Sequence, residues 1–248
     1  MTVKKILFLF ILLISISCKS DDTQPQQDQS LQPKSSGEII KHTYYTLAYS
    51  EDNEQASWVY YELTPELING NQSRTDDFRA DPAVSTGSAS LDDYKGSGYD
   101  RGHLCPAADM TLNHTSMSET FYLSNMSPQV AGFNRGIWST LEDRVRKWVS
   151  EYSSVYVVTG PIFANNIGVI GENKVTVPGS YYKVIYSVKN GMIGLVLPNQ
   201  SSTLKLNQFV VKVDDIEKQT GIDFFPGLDD KLENQLEGEI HTENWNFN

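Results

Sequence analysis

The segment from Tyr181 to Leu197 leaves this chain little freedom in how it can fold. Two apolar, β-branched and aromatic runs, Tyr181 to Val188 and Met192 to Leu197, flank Lys189-Asn190-Gly191. Asn-Gly readily takes the positive φ angles of a tight turn, so the runs are expected to pair as an antiparallel hairpin. A third run, Val155 to Thr159, is continuous in apolar character and is followed by Gly160-Pro161. That pattern marks a buried central strand ending at the dipeptide. Ser57 to Leu63 adds a strand stopped by Thr64-Pro65, and Asp214 is expected to cap a short helix that ends near Gly221. With 39% hydrophobic and 11% aromatic residues among 248, the chain can bury a core around such strands.

One helix is set by periodicity. At 100° per residue from Asn134, the side chains of Trp138, Leu141, Val145 and Trp148 fall within about 40° of its direction, which predicts a helix over 134–149. Arg144 and Lys147 lie off that stripe. Asn134 therefore begins an inward-facing apolar line, where its amide must find a partner or lose about 1–3 kcal/mol in desolvation. Glu142 lies near the edge of the same face, so that an amide with a carboxylate behind it could hold a hydrated metal.

The first residues have a different character. Lys4 and Lys5 precede an apolar run, Ile6 to Ile16, shorter than the about 20 residues a bilayer crossing needs. A basic start, a short apolar stretch and a small residue before the break describe an export signal over residues 1–18. Ser15-Ile16-Ser17-Cys18 resembles a relaxed lipobox, which makes Cys18 the expected acylation site and its lipid the expected membrane anchor, in the periplasm or at the cell surface. Lys19-Ser20-Asp21-Asp22 resembles the acidic signals that take some lipoproteins to the cell surface. Residues 19–37 are rich in Gln, Ser, Asp and Pro with Leu31 as their one large apolar side chain, and are expected to form a solvated tether. Residues 38–248 show no repeat and no second linker, so they are expected to be one domain. With Cys18 acylated, Cys105 has no disulfide partner and reads as a small buried hydrophobe.

Chemistry concentrates in Gly98-Tyr99-Asp100-Arg101-Gly102-His103-Leu104-Cys105-Pro106. An acid, a guanidinium, a tight glycine and an imidazole stand side by side. His103 suits the task of activating a water, because an unperturbed pKa near 6.5 leaves it mostly neutral at pH 7. Arginine pairs bidentately with phosphate oxygens, and a divalent ion can serve both the phosphate and the leaving oxygen. A second block reads Tyr122-Leu123-Ser124-Asn125-Met126-Ser127-Pro128-Gln129, then Phe133-Asn134-Arg135-Gly136-Ile137-Trp138 and Leu141-Glu142.

Together the two blocks resemble the DNA/RNA non-specific endonucleases, the ββα-metal family that includes secreted bacterial nucleases and mitochondrial endonuclease G. The resemblance extends in order over about residues 42–230. It implies an α+β fold, a central antiparallel sheet flanked by helices and carrying a ββα-metal finger. It implies hydrolysis of DNA and RNA to 5′-phosphate ends with His103 as general base. Asn134 becomes the single protein ligand of Mg²⁺, with Mn²⁺ as a substitute, and Glu142 the acid that orients the water around the metal. Arg101 and Arg74 resemble positions that engage phosphate, although Arg79 is chemically equivalent to Arg74. Arg146 and Asn125 are further candidates for substrate binding. His42, His114 and His241 lack ligand spacing and read as surface or local structure.

Charge is the objection. The formal net charge is −11, and residues 1–18 hold two lysines and no acid, so the remainder carries −13. Nucleic-acid binders draw affinity from neutralising phosphates, so the basic groups must be concentrated at the site. Two alternatives stand beside the nuclease: a surface nucleic-acid-binding lipoprotein without turnover, which the −13 charge disfavours, and a phosphodiesterase for a smaller substrate.

Overall fold

The structure, a computed structural model, describes residues 29–248. Its strands are β1 (Glu38–Lys41), β2 (Thr46–Ser50), β3 (Gln55–Leu63), β4 (Asp100–His103), β5 (Met126–Gln129), β6 (Val155–Ile162), β7 (Gly168–Ile170), β8 (Val175–Val177), β9 (Ser180–Ser187), β10 (Gly191–Pro198) and β11 (Val210–Val211). The α-helices are α1 (Pro65–Ile68), α2 (Leu91–Tyr94), α3 (His114–Glu119), α4 (Ser139–Tyr152), α5 (Val213–Thr220) and α6 (Asp230–Gly238). Seven strands form one antiparallel sheet in the order β1-β2-β3-β6-β9-β10-β11. The α+β architecture expected from the sequence is what the chain adopts.

The hairpin forms, but its turn differs from the expected one: Asn190 does not take a positive φ, and a three-residue loop, 188–190, is closed by Gly191 alone in that conformation. β9 pairs with β10 from Ser187↔Gly191 to Ser180↔Pro198, and Gly191 takes φ +78°, a conformation that glycine adopts without a steric penalty. β6 does not stop at Gly160-Pro161 but continues to Ile162. Its ladder with β3 ends at Thr159, so Pro161 pairs only with Tyr181 of β9 and its missing N–H disrupts nothing on the other side.

Both faces of the sheet are covered, and alternation along the strands explains how. Val59 and Tyr61 of β3, Val157 of β6 and Ile185 of β9 pack with Leu141, Val145 and Trp148 of α4. Trp58, Tyr60, Val158, Tyr182 and Val184 point the other way, against Ile216 of α5 and the pair Phe224 and Phe225. The chain closes with Trp245 packed edge-on against Trp148, whose Nε1 donates to Asn246 O at 2.6 Å.

Three expectations need correction. The tether over 19–37 is not solvated throughout. Leu31 is 6% exposed and joins the Trp58 and Phe224 face, Lys34 exchanges two backbone hydrogen bonds with Asp223, and Trp58 Nε1 donates to Ser35 Oγ. One large side chain suffices there because an aromatic face and a backbone bridge wait for it. The signal over 1–18, Cys18 and the first part of the tether lie outside the described residues. Asp214 is not a cap, since Lys212 holds that position; Asp214 lies inside the first turn of α5, where an acid suits the helix dipole. Gly221 closes that helix at φ +69° as expected.

The third correction bears on function. The predicted helix over 134–149 begins only at Ser139. Phe133–Trp138 forms a wider π-type turn, broken by non-helical angles at Gly136. The stripe residues Trp138, Leu141, Val145 and Trp148 are buried as predicted, but the break turns Asn134 out of their line. β4 and β5 pair antiparallel from Asp100↔Gln129 to His103↔Met126, and this ribbon with the turn and α4 makes the ββα unit.

Candidate active site

The ribbon holds the signature in strand geometry, so Arg101 and His103 share one face and Asp100 and Gly102 the other. On the first face lies an aromatic box. His103 meets Phe121 edge-on at 5.0 Å and Phe78 at 5.8 Å, and the two phenylalanines meet each other at 4.9 Å. Arg101 lies over Phe78 at 4.1 Å and Arg74 over Phe121 at 4.7 Å. Two guanidinium groups thus rest on rings that also wall in the imidazole, each held by attraction to a π face.

That setting decides the charge of His103. The residue is partly exposed, but Nε2 is sealed from solvent without a hydrogen-bond partner. Burial, followed by the positive charges of Arg74 and Arg101, pushes the imidazole down to about 3. It is therefore neutral at pH 7 and available to accept a proton.

On the second face, Asp100 organises the turn that follows β5. Arg135 grips its carboxylate with Nε at 2.8 Å and Nη2 at 2.7 Å, and Asn134 Nδ2 donates to it at 2.9 Å. Burial alone would raise the Asp100 carboxyl, but the hydrogen bonds from Arg135 and Asn134 outweigh it and hold the group below the usual range. Because the amide nitrogen of Asn134 is turned to Asp100, its Oδ1 is the atom left for a cation. Gly102 is needed for closeness here: a Cβ would lie 2.1–2.4 Å from the side chain of Gln129. Gln129 is fully buried and both its amide atoms lack a partner.

Arg74, Phe78, Asp100, Arg101, Asn134 and Arg135 are among the residues lining an open cleft of about 610 Å³; His103 is not one of them and meets the wall through Phe78. The cleft's further wall brings in Lys95, Tyr94 and Tyr99, to which no reading of the sequence pointed. Their signal was present only as an aromatic and basic run, Tyr94-Lys95 and Tyr99, just before the signature. Phe78 and Phe121 gave no signal, because a box assembled from separate loops has no local spacing.

The geometry separates Arg74 from Arg79. Arg79 donates to the Asp77 carboxylate, to Asp77 O and to Ser118 O, and stacks on Tyr122 at 4.0 Å, so it ties loops together. Arg74 is exposed on the cleft with Asp76 as its ion-pair partner. Two candidates for substrate binding are corrected. Arg146 donates to the buried Asp109 at 2.7 Å and to Asp143, so its charge is spent within the protein. Asn125 is fully buried; it accepts from Cys105 N and donates to Cys105 O and Thr120 O, fixing the chain just past His103.

Glu142, like His103, is not among the residues lining the cleft. Burial raises its carboxyl against the pull of Lys183, and Asp109, Arg146 and Asp143 are the other charged groups acting on it. Lys183 is 1% exposed on β9, its Nζ 4.8 Å over the Trp138 ring, and Trp138 Nε1 in turn donates to His103 O. Lys183 and Asp109 are buried while Glu142 is partly exposed, and Trp138 is the link from Lys183 to the strand that carries His103. Cys105 is buried and free, as expected, and burial raises its thiol. His42 is local structure, bonded to Asp81 at 3.0 Å; His114 is exposed at the start of α3; His241 pairs with Glu239 and Glu243.

Similar proteins are known over most of the chain. Nuclease C1 of Cunninghamella echinulata var. echinulata is 38% identical over 228 residues, covering 83% of this chain and 90% of that protein. Human mitochondrial endonuclease G is 38% identical over 202 residues, covering 74% of this chain and 68% of its own length. A crystal structure of an EndoG/EndoGI complex superimposes with a TM-score of 0.74 at 36% identity, covering 80% of this chain and 89% of that one. The DNA/RNA non-specific endonuclease family is matched over residues 25–231, so the chain with its ββα unit and neutral His103 belongs to that family and is an endonuclease.

Proposed function

We propose that the protein hydrolyses DNA and RNA with little sequence preference, using His103 as general base and a Mg²⁺ held at Asn134. The observation that carries this reading is the neutral His103, walled by Phe78 and Phe121 and flanked by Arg74 and Arg101. A phosphodiester entering the cleft meets Arg74 and Arg101, which remain charged and match its oxygens. Its negative charge offsets the two guanidinium groups that depress the imidazole, so His103 becomes a better base when substrate is bound. A ring nitrogen of His103 then takes the proton of the attacking water. Arg135 and Asp100 keep Asn134 in place throughout.

The residues fit a hard cation. Asn134 offers one neutral oxygen, Asp100 is already occupied by Arg135 and Asn134, and Mg²⁺ tolerates a single protein ligand because it keeps most of its waters. When bound, such an ion supplies positive charge to the phosphate and to the leaving oxygen.

The test is cleavage of supercoiled plasmid and of RNA with Mg²⁺ or with EDTA. Loss of cleavage in EDTA and in Asn134→Ala is expected, with a drop of about 10²–10⁴-fold in His103→Ala. Full activity in either variant, or in EDTA, sinks the assignment. The proposal includes export through residues 1–18 and acylation of Cys18, with the anchored protein in the periplasm or at the cell surface. Labelling with a palmitate analogue that persists in Cys18→Ser would remove the anchor from it.

A further inference from the structure

On the sheet face opposite α4, the last two helices turn carboxylates toward one another. Asp214 and Glu217 stand one turn apart on α5, and Glu237 reaches them from the last turn of α6. One oxygen of each lies within 4.8 Å of the other two. Two oxygens bound to one Ca²⁺ at about 2.4 Å are at most about 4.8 Å apart, so the spacing suits a single ion.

Acidic groups gather on many surfaces without a ligand; Glu237 sets this group apart. It is 6% exposed, and its Oε1 is sealed from solvent with no hydrogen-bond partner. Burial, then the charges of Glu217, Glu233, Asp214 and Asp223, push its carboxyl up to about 8. A carboxylate buried among carboxylates requires a countercharge or a proton. Its place in α6 sharpens the need, since the C-terminal end of a helix is negative and favours cations. Glu217 accepts from Phe224 N with Oε1 only, which leaves its second oxygen for a ligand.

We propose that Asp214, Glu217 and Glu237 form a binding site for a divalent cation of the calcium class, separate from the cleft. Ca²⁺ suits it because that ion accepts irregular sets of carboxylate and water oxygens, whereas Mg²⁺ demands a near-octahedral shell. The bound ion neutralises the buried charge and ties α6 to α5, and through them to β10, against which both helices pack.

The experiment uses the full chain carrying Asn134→Ala, which silences the cleft as a cation site. Metal-free protein is titrated with CaCl₂ by calorimetry and followed by thermal unfolding. One Ca²⁺ per chain is expected, with Tm raised by about 5–10 °C at a hundredfold excess over Kd. Glu237→Gln, which keeps the shape and removes the charge, abolishes both effects. Asp214→Asn, at a partly exposed position, gives the same result and serves if Glu237→Gln does not fold. No uptake of Ca²⁺, or uptake that survives in both variants, overturns the proposal. So does a Tm that responds to pH but not to Ca²⁺, because the cluster then holds a proton in place of a metal.

Discussion

An imidazole held down to about 3 leaves a mark on stability as well as on chemistry. In the unfolded chain His103 returns to a pKa near 6.5. Between pH 6.5 and 3 the unfolded state therefore binds a proton that the folded state refuses. Its contribution is complete above pH 6.5, declines as the pH falls, and declines no further below about 3. Urea unfolding midpoints are expected to fall across this window in the wild type and to fall less steeply in His103→Asn. Equal slopes would mean that the Phe78 and Phe121 box does not shield the ring. Asn125 shows the other kind of residue-scale role, invisible in a motif. Its three bonds to Cys105 and Thr120 fix the loop beyond His103 without touching the cleft.

At the scale of elements, the ribbon of β4 and β5 depends on one absent side chain. A methyl group on Gly102 would strike Gln129, which is fully buried and has little room to retreat. Gly102→Ala is expected to force the two strands apart, lowering Tm by several degrees and cleavage by at least about tenfold, in keeping with overpacking costs of about 1–3 kcal/mol. Wild-type values for both would show that Gln129 can move aside. The same ribbon shows where sequence reading succeeds and where it stops. Asn190-Gly191 and the Trp138 to Trp148 stripe announce themselves because their signals are local and periodic. The break at Gly136 does not, since a single glycine inside a helical pattern is usually tolerated, and it is this break that sends Asn134 toward Asp100 and not into the core. Asp100 stands beside Arg101 in sequence, yet its partner is Arg135 on the far strand's turn, a pairing no spacing rule contains.

Over the whole molecule the negative charge is unevenly spread. The net charge is −11, yet the cleft gathers Arg74, Lys95, Arg101 and Arg135 against Asp76, Asp92 and Asp100, and of the four cations Arg74 and Arg135 are already ion-paired. Binding of an oligonucleotide in EDTA, where the proposed cleavage is expected to stop, is expected to weaken linearly in log salt. Lys95→Gln should reduce that slope by about one. An unchanged slope would place the phosphate path elsewhere. Family membership, and with it the sheet and the ββα unit, could be read from the two motif blocks because they keep their order along the chain. The cleft's second wall could not be, being assembled from α2 and loops that share no pattern.

The seven-stranded sheet has one more consequence, which concerns crowding. Its long apolar strands β3, β6, β9 and β10 all lie between neighbours, while the two borders are β1, four residues with Glu38 and Lys41 at its ends, and β11, two residues. Borders this short, one of them with a charge at each end, offer another chain little ladder to extend. Copies crowded side by side therefore find little at β1 or β11 on which to continue the sheet.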